Sequence, residues 1–334
     1  MSDGTQDATM VEMTYHEAIR DALRIAMRAD PRVFLLGEDI AAYGGVYKVT
    51  EGFLEEFGAD RVIDTPIAEN AIIGAATGAA LVGMRPVAEI QFADFIACGF
   101  DPLVNMTATI HYRWGQPVPL VVRMPAGATW AGAGPFHSQS MEAWFAQIPG
   151  LKVVVPGTPA DAKGLLLSAI RDPNPVVFME QKYLYRRQKG LVPIGDVAVP
   201  LGRARVAHAG GDATVVAWGT MAVKAVEAAL ALAEDGVGVE VVDLRSIVPW
   251  DRAAVLASVR KTGRALVVCE AHHTASFGAE VAATIAEEAF DALDAPVQRL
   301  SGLDTPVPAH PVLEAEYLPD ERKIAAKLRT LVAF

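Results

Sequence analysis

Cysteine is almost absent from this sequence: Cys98 and Cys269 are the only two in 334 residues. They lie far apart in apolar contexts without metal-ligand spacing. Neither a disulfide framework nor a zinc site is expected, and two buried thiols in a reducing cytoplasm is the simple reading. Basic residues are in deficit, 29 against 40 acidic, for a formal net charge of -11. That balance argues against nonspecific nucleic-acid binding and against an anionic membrane surface. The first thirteen residues (MSDGTQDATMVEM) are polar, so a lead-in without structure is expected and no signal peptide. Apolar runs are too short to span a bilayer. There is no G-x-x-x-x-G-K-[ST] and no G-x-S-x-G. Gly236-Val237-Gly238 falls after a helix and before a strand, the wrong order for a dinucleotide fingerprint. These absences remove the commoner hydrolase, kinase and Rossmann readings.

What is present is apolar: 52% of the residues are hydrophobic, and the length suffices for two domains with real cores. Thr14-Tyr15-His16-Glu17 is a capping-box pattern opening a helix that runs to about Ala29, where Pro31 stops it. Val33-Phe34-Leu35-Leu36 reads as a buried strand. Further strands are expected at Val62–Asp64, Val87–Gln91, Leu120–Met124, Val153–Val155 and Val176–Met179. Helices are expected after Pro66, from about Ala97 to Trp114, and from Pro159. Continuous apolar strands alternating with helices predict an α/β fold with a parallel sheet covered on both faces. From Tyr185 to Pro200 the pattern lapses into basic residues, Pro193, Gly195 and Pro200, which reads as a linker. The alternation then restarts on a smaller scale, from a strand at Thr214–Trp218 to a last helix opening near Glu321. The expected organisation is a larger domain over 12–186, a linker over 187–202 and a smaller α/β domain over 203–334.

The most informative stretch is VIDTPIAENAIIGAATGAALVG, Val62 to Gly83. A short strand ends in a Thr-Pro turn, and a helix rich in small residues carries Glu69 in its first turn. Gly74, Gly78 and Gly83 interrupt that helix at a cost of about 1 kcal/mol each against Ala, so close packing by another backbone or a ligand is expected there. Glu69 admits two readings. It either favours the positive end of the helix dipole, worth about 0.3–1 kcal/mol, or shares a proton with a ligand, which a solvated surface Glu does poorly. Two more pieces gather at expected strand ends, where α/β sheets take ligands. One is Glu89-Ile90-Gln91-Phe92-Ala93-Asp94-Phe95. The other is a Gly-rich loop ending in Gly134-Pro135-Phe136-His137-Ser138-Gln139-Ser140. His137 there suits a general acid or base near neutral pH, or equally a cap for the helix beginning near Ser140.

Taken in order, Asp64-Thr65-Pro66-Ile67-Ala68-Glu69, Ala88-Glu89-Ile90-Gln91-Phe92-Ala93-Asp94, His137-Ser138-Gln139-Ser140 and Ala162-Lys163-Gly164-Leu165-Leu166 resemble a known family. It is the beta subunit of the thiamine-diphosphate-dependent decarboxylase component of 2-oxoacid dehydrogenases, a transketolase-like group. Asp243-Leu244-Arg245 and Asp304-Thr305-Pro306 extend the resemblance to the C-terminus, and Val248-Pro249-Trp250-Asp251 is closest to the branched-chain (2-oxoisovalerate) type. The resemblance implies a pyrimidine-binding domain followed by a C-terminal transketolase-like domain. It implies that Glu69 hydrogen-bonds the aminopyrimidine ring of the cofactor and that His137 handles substrate and the incoming lipoyl group. Phe95 falls where the branched-chain type carries a tyrosine, so a ring can pack on the cofactor but a hydroxyl is lost. Gln91 is a further candidate for that pocket. Glu38, Glu89 and Asp94 are candidates either for an acidic proton relay or for surface and capping roles.

The resemblance also implies a structural potassium ion at Asp172 and Asn174, completed by backbone carbonyls near Leu120, Ala169 and Ile170. The alternative is a turn in which Asp and Asn bond the backbone. The Gly-Asp-Gly run that would hold Mg2+ and the diphosphate is missing: Gly211-Asp212-Ala213 lies in the wrong domain. A separate alpha subunit is therefore expected to supply that half, in an assembly of two alpha and two beta chains. The second domain, with the terminal carboxylate of Phe334, is expected to dock a lipoyl-bearing acyltransferase core. Pyruvate or acetoin dehydrogenase beta subunits are the near alternatives, and a non-catalytic scaffold is the alternative of another class.

Overall fold

A computed structural model describes residues 9–334. Residues 1–8 of the expected lead-in lie outside the described residues. The first domain holds β1 (Met10–Thr14), β2 (Val33–Gly37), β3 (Val62–Asp64), β4 (Arg85–Glu89), β5 (Val121–Ala126), β6 (Lys152–Val154), β7 (Val176–Gln181) and β8 (Lys189–Pro193). The second holds β9 (Arg205–His208), β10 (Ala213–Ala217), β11 (Val239–Asp243), β12 (Ser246–Val248), β13 (Ala265–His272) and β14 (Gln298–Gly302).

The main sheet has the order β12-β6-β7-β5-β4-β2-β3, parallel except for β12. Strand β2 shows why it must be covered twice. Val33 and Leu35 enter one core with Tyr15 and Ile19, while Phe34 and Leu36 enter another with Ile72 and Val122. A strand buried on both faces is apolar throughout, as the sequence is here. The helix Tyr15–Ala29 buries Ala18, Ile19, Ala22, Leu23, Ala26 and Met27 on one stripe, and its capping box forms, with Thr14 N–H donating to Glu17 Oε2 at 2.8 Å.

The second sheet, β14-β13-β10-β11-β9, is parallel except for its edge strand β9. The seam between the domains is not a hinge between separate bodies. Strand β12 adds antiparallel to β6, and one core runs on from Val122 and Val153 to Trp218, Val242 and Phe277.

Three expectations change. Residues 10–13, expected in the lead-in, form β1, which pairs with β8 inside the stretch read as a linker. The single helix expected from Ala97 to Trp114 is broken into the 3-10 turn Ala93–Gly99, the π turn Pro102–Met106, the 3-10 turn Thr107–Thr109 and the helix Ile110–Trp114. Pro102 lacks an N–H, and the Thr107 hydroxyl donates to the Pro102 carbonyl at 2.8 Å, competing with the helical pattern. Cys98 is exposed and only Cys269 is buried. Gly74 and Gly78 are exposed, and a Cβ at either would meet nothing within 4 Å among the described residues, which leaves that face of the helix open.

Candidate active site

The carboxyl ends of β3, β2, β4 and β5 are neighbours in the sheet, and the residues singled out for cofactor and substrate chemistry all leave from them. After β3, Thr65 N–H donates to the Gly37 carbonyl at 2.9 Å, and the Asp64 carboxylate accepts the Ala41 N–H at 2.7 Å. Those bonds fix the Thr-Pro turn against the end of β2. The helix Glu69–Leu81 starts directly afterwards, so Glu69 stands at its positive end, 8% exposed. Glu38 follows β2 and is also buried. Its carboxyl is pushed up, by burial first and then by the Glu69 and Asp39 charges. Asp39 beside it holds φ +56°, a strained conformation for a residue with a Cβ.

Gly99 brings the aromatic side of the site to this carboxylate. A Cβ there would lie 3.0 Å from the Glu69 carbonyl oxygen, so glycine lets the Ala93–Gly99 turn pack on the helix start. That turn carries Phe95. The rings of Phe92 and Phe95 meet the His137 ring edge-on, with centroids 4.6 and 5.6 Å apart. Gln91 points the other way, its Nε2 donating to Asp39 Oδ2 at 3.3 Å. His137 is half-buried and does not cap the following helix Glu142–Ala146, whose cap position is Met141.

The other two acids have structural partners. Glu89 is paired with Arg123, which also forks onto Glu180 at 2.6 and 2.8 Å in the interior of the sheet. Burial pushes the Glu89 carboxyl up, and Arg123 opposes that shift. Asp94 Oδ1 accepts the Gln139 N–H at 3.1 Å. The site is an open shelf, bordered by Ile67 at 83% and Phe136 at 71% exposure.

The residues of the expected ion site lie together at the far end of the sheet. Both Asp172 carboxylate oxygens lie 2.6 Å from Lys152 Nζ, the Ile170 carbonyl accepts from Arg85 at 2.8 Å, and the Leu120 and Ala169 carbonyls accept from Val176 and Asp172 N–H. Asn174 Oδ1 is buried without a protein partner.

Some groups around the site escape sequence reasoning. Lys182, Glu270 and Glu314 lie under the His137 loop, yet they come from three distant segments with no shared motif. Glu270 alone leaves a local signal, as a charge within the apolar run of β13, while Lys182 directly follows β7.

A transketolase-like α/β chain is the class that this fold defines. Residues 11–188 match the family model "Transketolase, pyrimidine binding domain", and residues 202–324 match "Transketolase, C-terminal domain". The chain is 47% identical to the 2-oxoisovalerate dehydrogenase subunit beta 2 of Arabidopsis thaliana, covering 96% of this chain and 90% of that protein. It is 46% identical to the 2-oxoisovalerate dehydrogenase subunit beta of Bacillus subtilis, covering 97% and 100%. A solved split-gene transketolase, described as an inactive beta4 tetramer, superposes with a TM-score of 0.77 at 24% identity, covering 96% and 98%, a likeness of fold. The chain belongs to the family of 2-oxoacid dehydrogenase beta subunits. No helix among the described residues is long and apolar enough to cross a membrane.

Proposed function

We propose that this chain is the half of a 2-oxoacid dehydrogenase decarboxylase that holds the aminopyrimidine ring of thiamine diphosphate, acting in the cytoplasm with an alpha subunit as two alpha and two beta chains. The observation that carries the reading is Glu69: a buried carboxylate at a helix start, beside a second buried carboxyl and the Phe92–Phe95–His137 cluster. Thiamine diphosphate, when bound, supplies the nucleophilic carbon and the electron sink for decarboxylation. Glu69 would hold a ring nitrogen of the cofactor and move a proton at that atom. Phe95 would pack on the ring and exclude water, with Gln91 at the pocket's edge. His137 would meet the incoming lipoyl group and protonate the lipoyl sulfur that leaves as the acyl group is transferred. The alpha subunit would supply Mg2+ and the diphosphate contacts, seated on the shelf and on the exposed Gly74–Gly78 face.

The preferred substrate is a branched-chain 2-oxo acid, with transfer of the acyl group to a lipoyl-bearing acyltransferase core. The test is co-expression with the alpha subunit and parallel assay of 2-oxoisovalerate and pyruvate. A higher kcat/KM for the branched acid supports the assignment; a pyruvate preference moves the chain to the neighbouring type.

A structural potassium ion at Leu120, Ala169, Ile170, Asp172 and Asn174 belongs to the same proposal. The unpartnered Asn174 Oδ1 favours it, and the Lys152 ammonium on Asp172 competes with it. An ion that binds only the folded chain raises stability by mass action. The melting temperature is therefore expected to be higher in KCl than in NaCl at equal ionic strength, and equal values would remove the ion.

A further inference from the structure

The His137 loop rests on buried charges that the proposed chemistry does not use. Lys182 follows β7, is 6% exposed, and its ammonium has no protein hydrogen-bond partner. The charges of three carboxylates from three other elements act on it at longer range: Asp94 after β4, Glu270 in β13 and Glu314 in the helix Pro311–Tyr317. Each of them grips the loop between β5 and the helix Glu142–Ala146 at a different place. Glu270 Oε1 accepts the Ala128 N–H at 2.5 Å and the Ser140 hydroxyl at 3.1 Å. Glu314 Oε2 accepts the Gly132 N–H at 2.7 Å, and Asp94 Oδ1 accepts the Gln139 N–H at 3.1 Å. The second oxygen of each carboxylate is buried without a protein partner. Lys182 Nζ also lies 5.7 Å from the centroid of Phe92, the ring that abuts His137.

Burying three carboxylates around a loop is costly unless a cation compensates them, and removing one partner from such a set exposes the full penalty. Lys182 is a buried cation on which the charges of all three act. We propose that Lys182 is a positioning residue for His137: its charge compensates the buried Asp94, Glu270 and Glu314 side chains, whose oxygens clamp the loop through Ala128, Gly132, Gln139 and Ser140. The assignment of His137 to acyl transfer rests on the proposed function; the clamp itself does not. Burial opposes the charge on both sides of this cluster. Burial pushes the Glu270 carboxyl up to about 7, against the Ala128 N–H, Lys182 and Ser140, with Glu142 adding to the rise. Burial lowers the Lys182 ammonium to about 8, against the three carboxylates. Tyr317, raised by burial and by Glu270, and Glu142, raised by burial, are the other titratable groups packed here. The clamp is thus expected to hold at pH 7 and to slacken as pH rises through about 8, where Lys182 loses its charge.

The test uses hydrogen exchange of the full chain, which needs no cofactor. At pH 7.5, Lys182→Met is expected to speed exchange of the 127–140 amides by about tenfold, the rate equivalent of one charged hydrogen bond, while β5 stays protected. Lys182→Arg should keep protection, and Lys182→Met with Glu270→Gln should recover part of it by removing one uncompensated charge. In the complex with the alpha subunit, Lys182→Met should lower lipoyl-linked turnover more than decarboxylation read with ferricyanide as electron acceptor. Unchanged exchange in Lys182→Met would overturn the clamp. So would equal loosening in Lys182→Arg with no recovery in the double variant, which marks a packing role. Loosened exchange with both activities lowered in the same proportion would overturn the link to His137. A wild-type complex with neither activity, but with the exchange pattern above, would sink the proposed function and leave the clamp standing.

Discussion

At the residue scale, Glu69 was legible because it is a carboxylate in an otherwise apolar, small-residue run. His137 was legible because it interrupts a Gly-rich loop. Each carries its signal in its own neighbours. Lys182 could not be found that way, since its three partners lie at positions 94, 270 and 314 and only the fold brings them to one ammonium. Glu89 shows the reverse. It stands in a chemically suggestive segment, yet Arg123 holds it inside the sheet together with Glu180. Arg123→Met should leave two buried carboxylates without their cation and destabilise by about 3–5 kcal/mol, read by urea unfolding. A loss below about 1 kcal/mol, the scale of an exposed pair, would mean that the pair is solvated. His137→Ala should lower lipoyl-linked turnover by about 10²- to 10⁴-fold, the range of a general acid, and spare ferricyanide-linked decarboxylation in comparison. Equal losses in both assays would move His137 to an earlier step.

At the scale of elements, the parallel strands were read from their unbroken apolar runs, and the boundaries moved by only a residue or two. The edge strands were missed for a physical reason. β1, β8, β9 and β14 are part-exposed and carry charged or polar residues, so they lack the continuous hydrophobic signature of a buried strand. The loop from 127 to 140 was recognised as a loop, but its rigidity was not visible. Gly132 illustrates it: φ is +79°, and a Cβ there would collide with the Ala309 carbonyl oxygen and reach the Pro311 ring. Gly132→Ala should therefore displace the loop from the second domain. It should cost about 1–3 kcal/mol, the price of a strained backbone position, and lower turnover. Full stability with full activity in that variant would show that the loop tolerates another path.

At the scale of the whole molecule, the two domains share a core, a strand and a set of buried charges. The shared core was not expected from a sequence that reads as two alternating blocks, because β12 is three residues long and antiparallel. Across the seam, Arg245 donates to Asp161 at 2.8 Å, and Arg205 lies beside both Asp161 and Asp243. Burial pushes the Asp243 carboxyl up to about 7, with Asp161 adding to the rise and Arg205 and Arg245 opposing it. A carboxyl raised in the folded state binds a proton that the unfolded chain has already lost. Stability from Asp243 and Glu270 is therefore fully present below the ordinary carboxylate range and falls as pH rises toward about 7. The unfolding free energy read from urea titrations should drop between pH 5 and pH 7 with a slope on the order of 1 kcal/mol per pH unit for each such group. Asp243→Asn should flatten that slope, and an unchanged slope would show that Asp243 is ionised throughout.

The central claim is that Glu69 holds the cofactor's pyrimidine half at a surface completed by an alpha subunit. Calorimetric titration of thiamine diphosphate into the co-expressed complex, wild type against Glu69→Ala, tests it most directly, with 2-oxo acid decarboxylation measured on the same samples. Saturable binding and turnover are expected in the wild type. In the variant, turnover should fall by about 10²-fold or more, the scale of a lost acid–base group, and binding should weaken. Full turnover and unchanged binding in Glu69→Ala would contradict it.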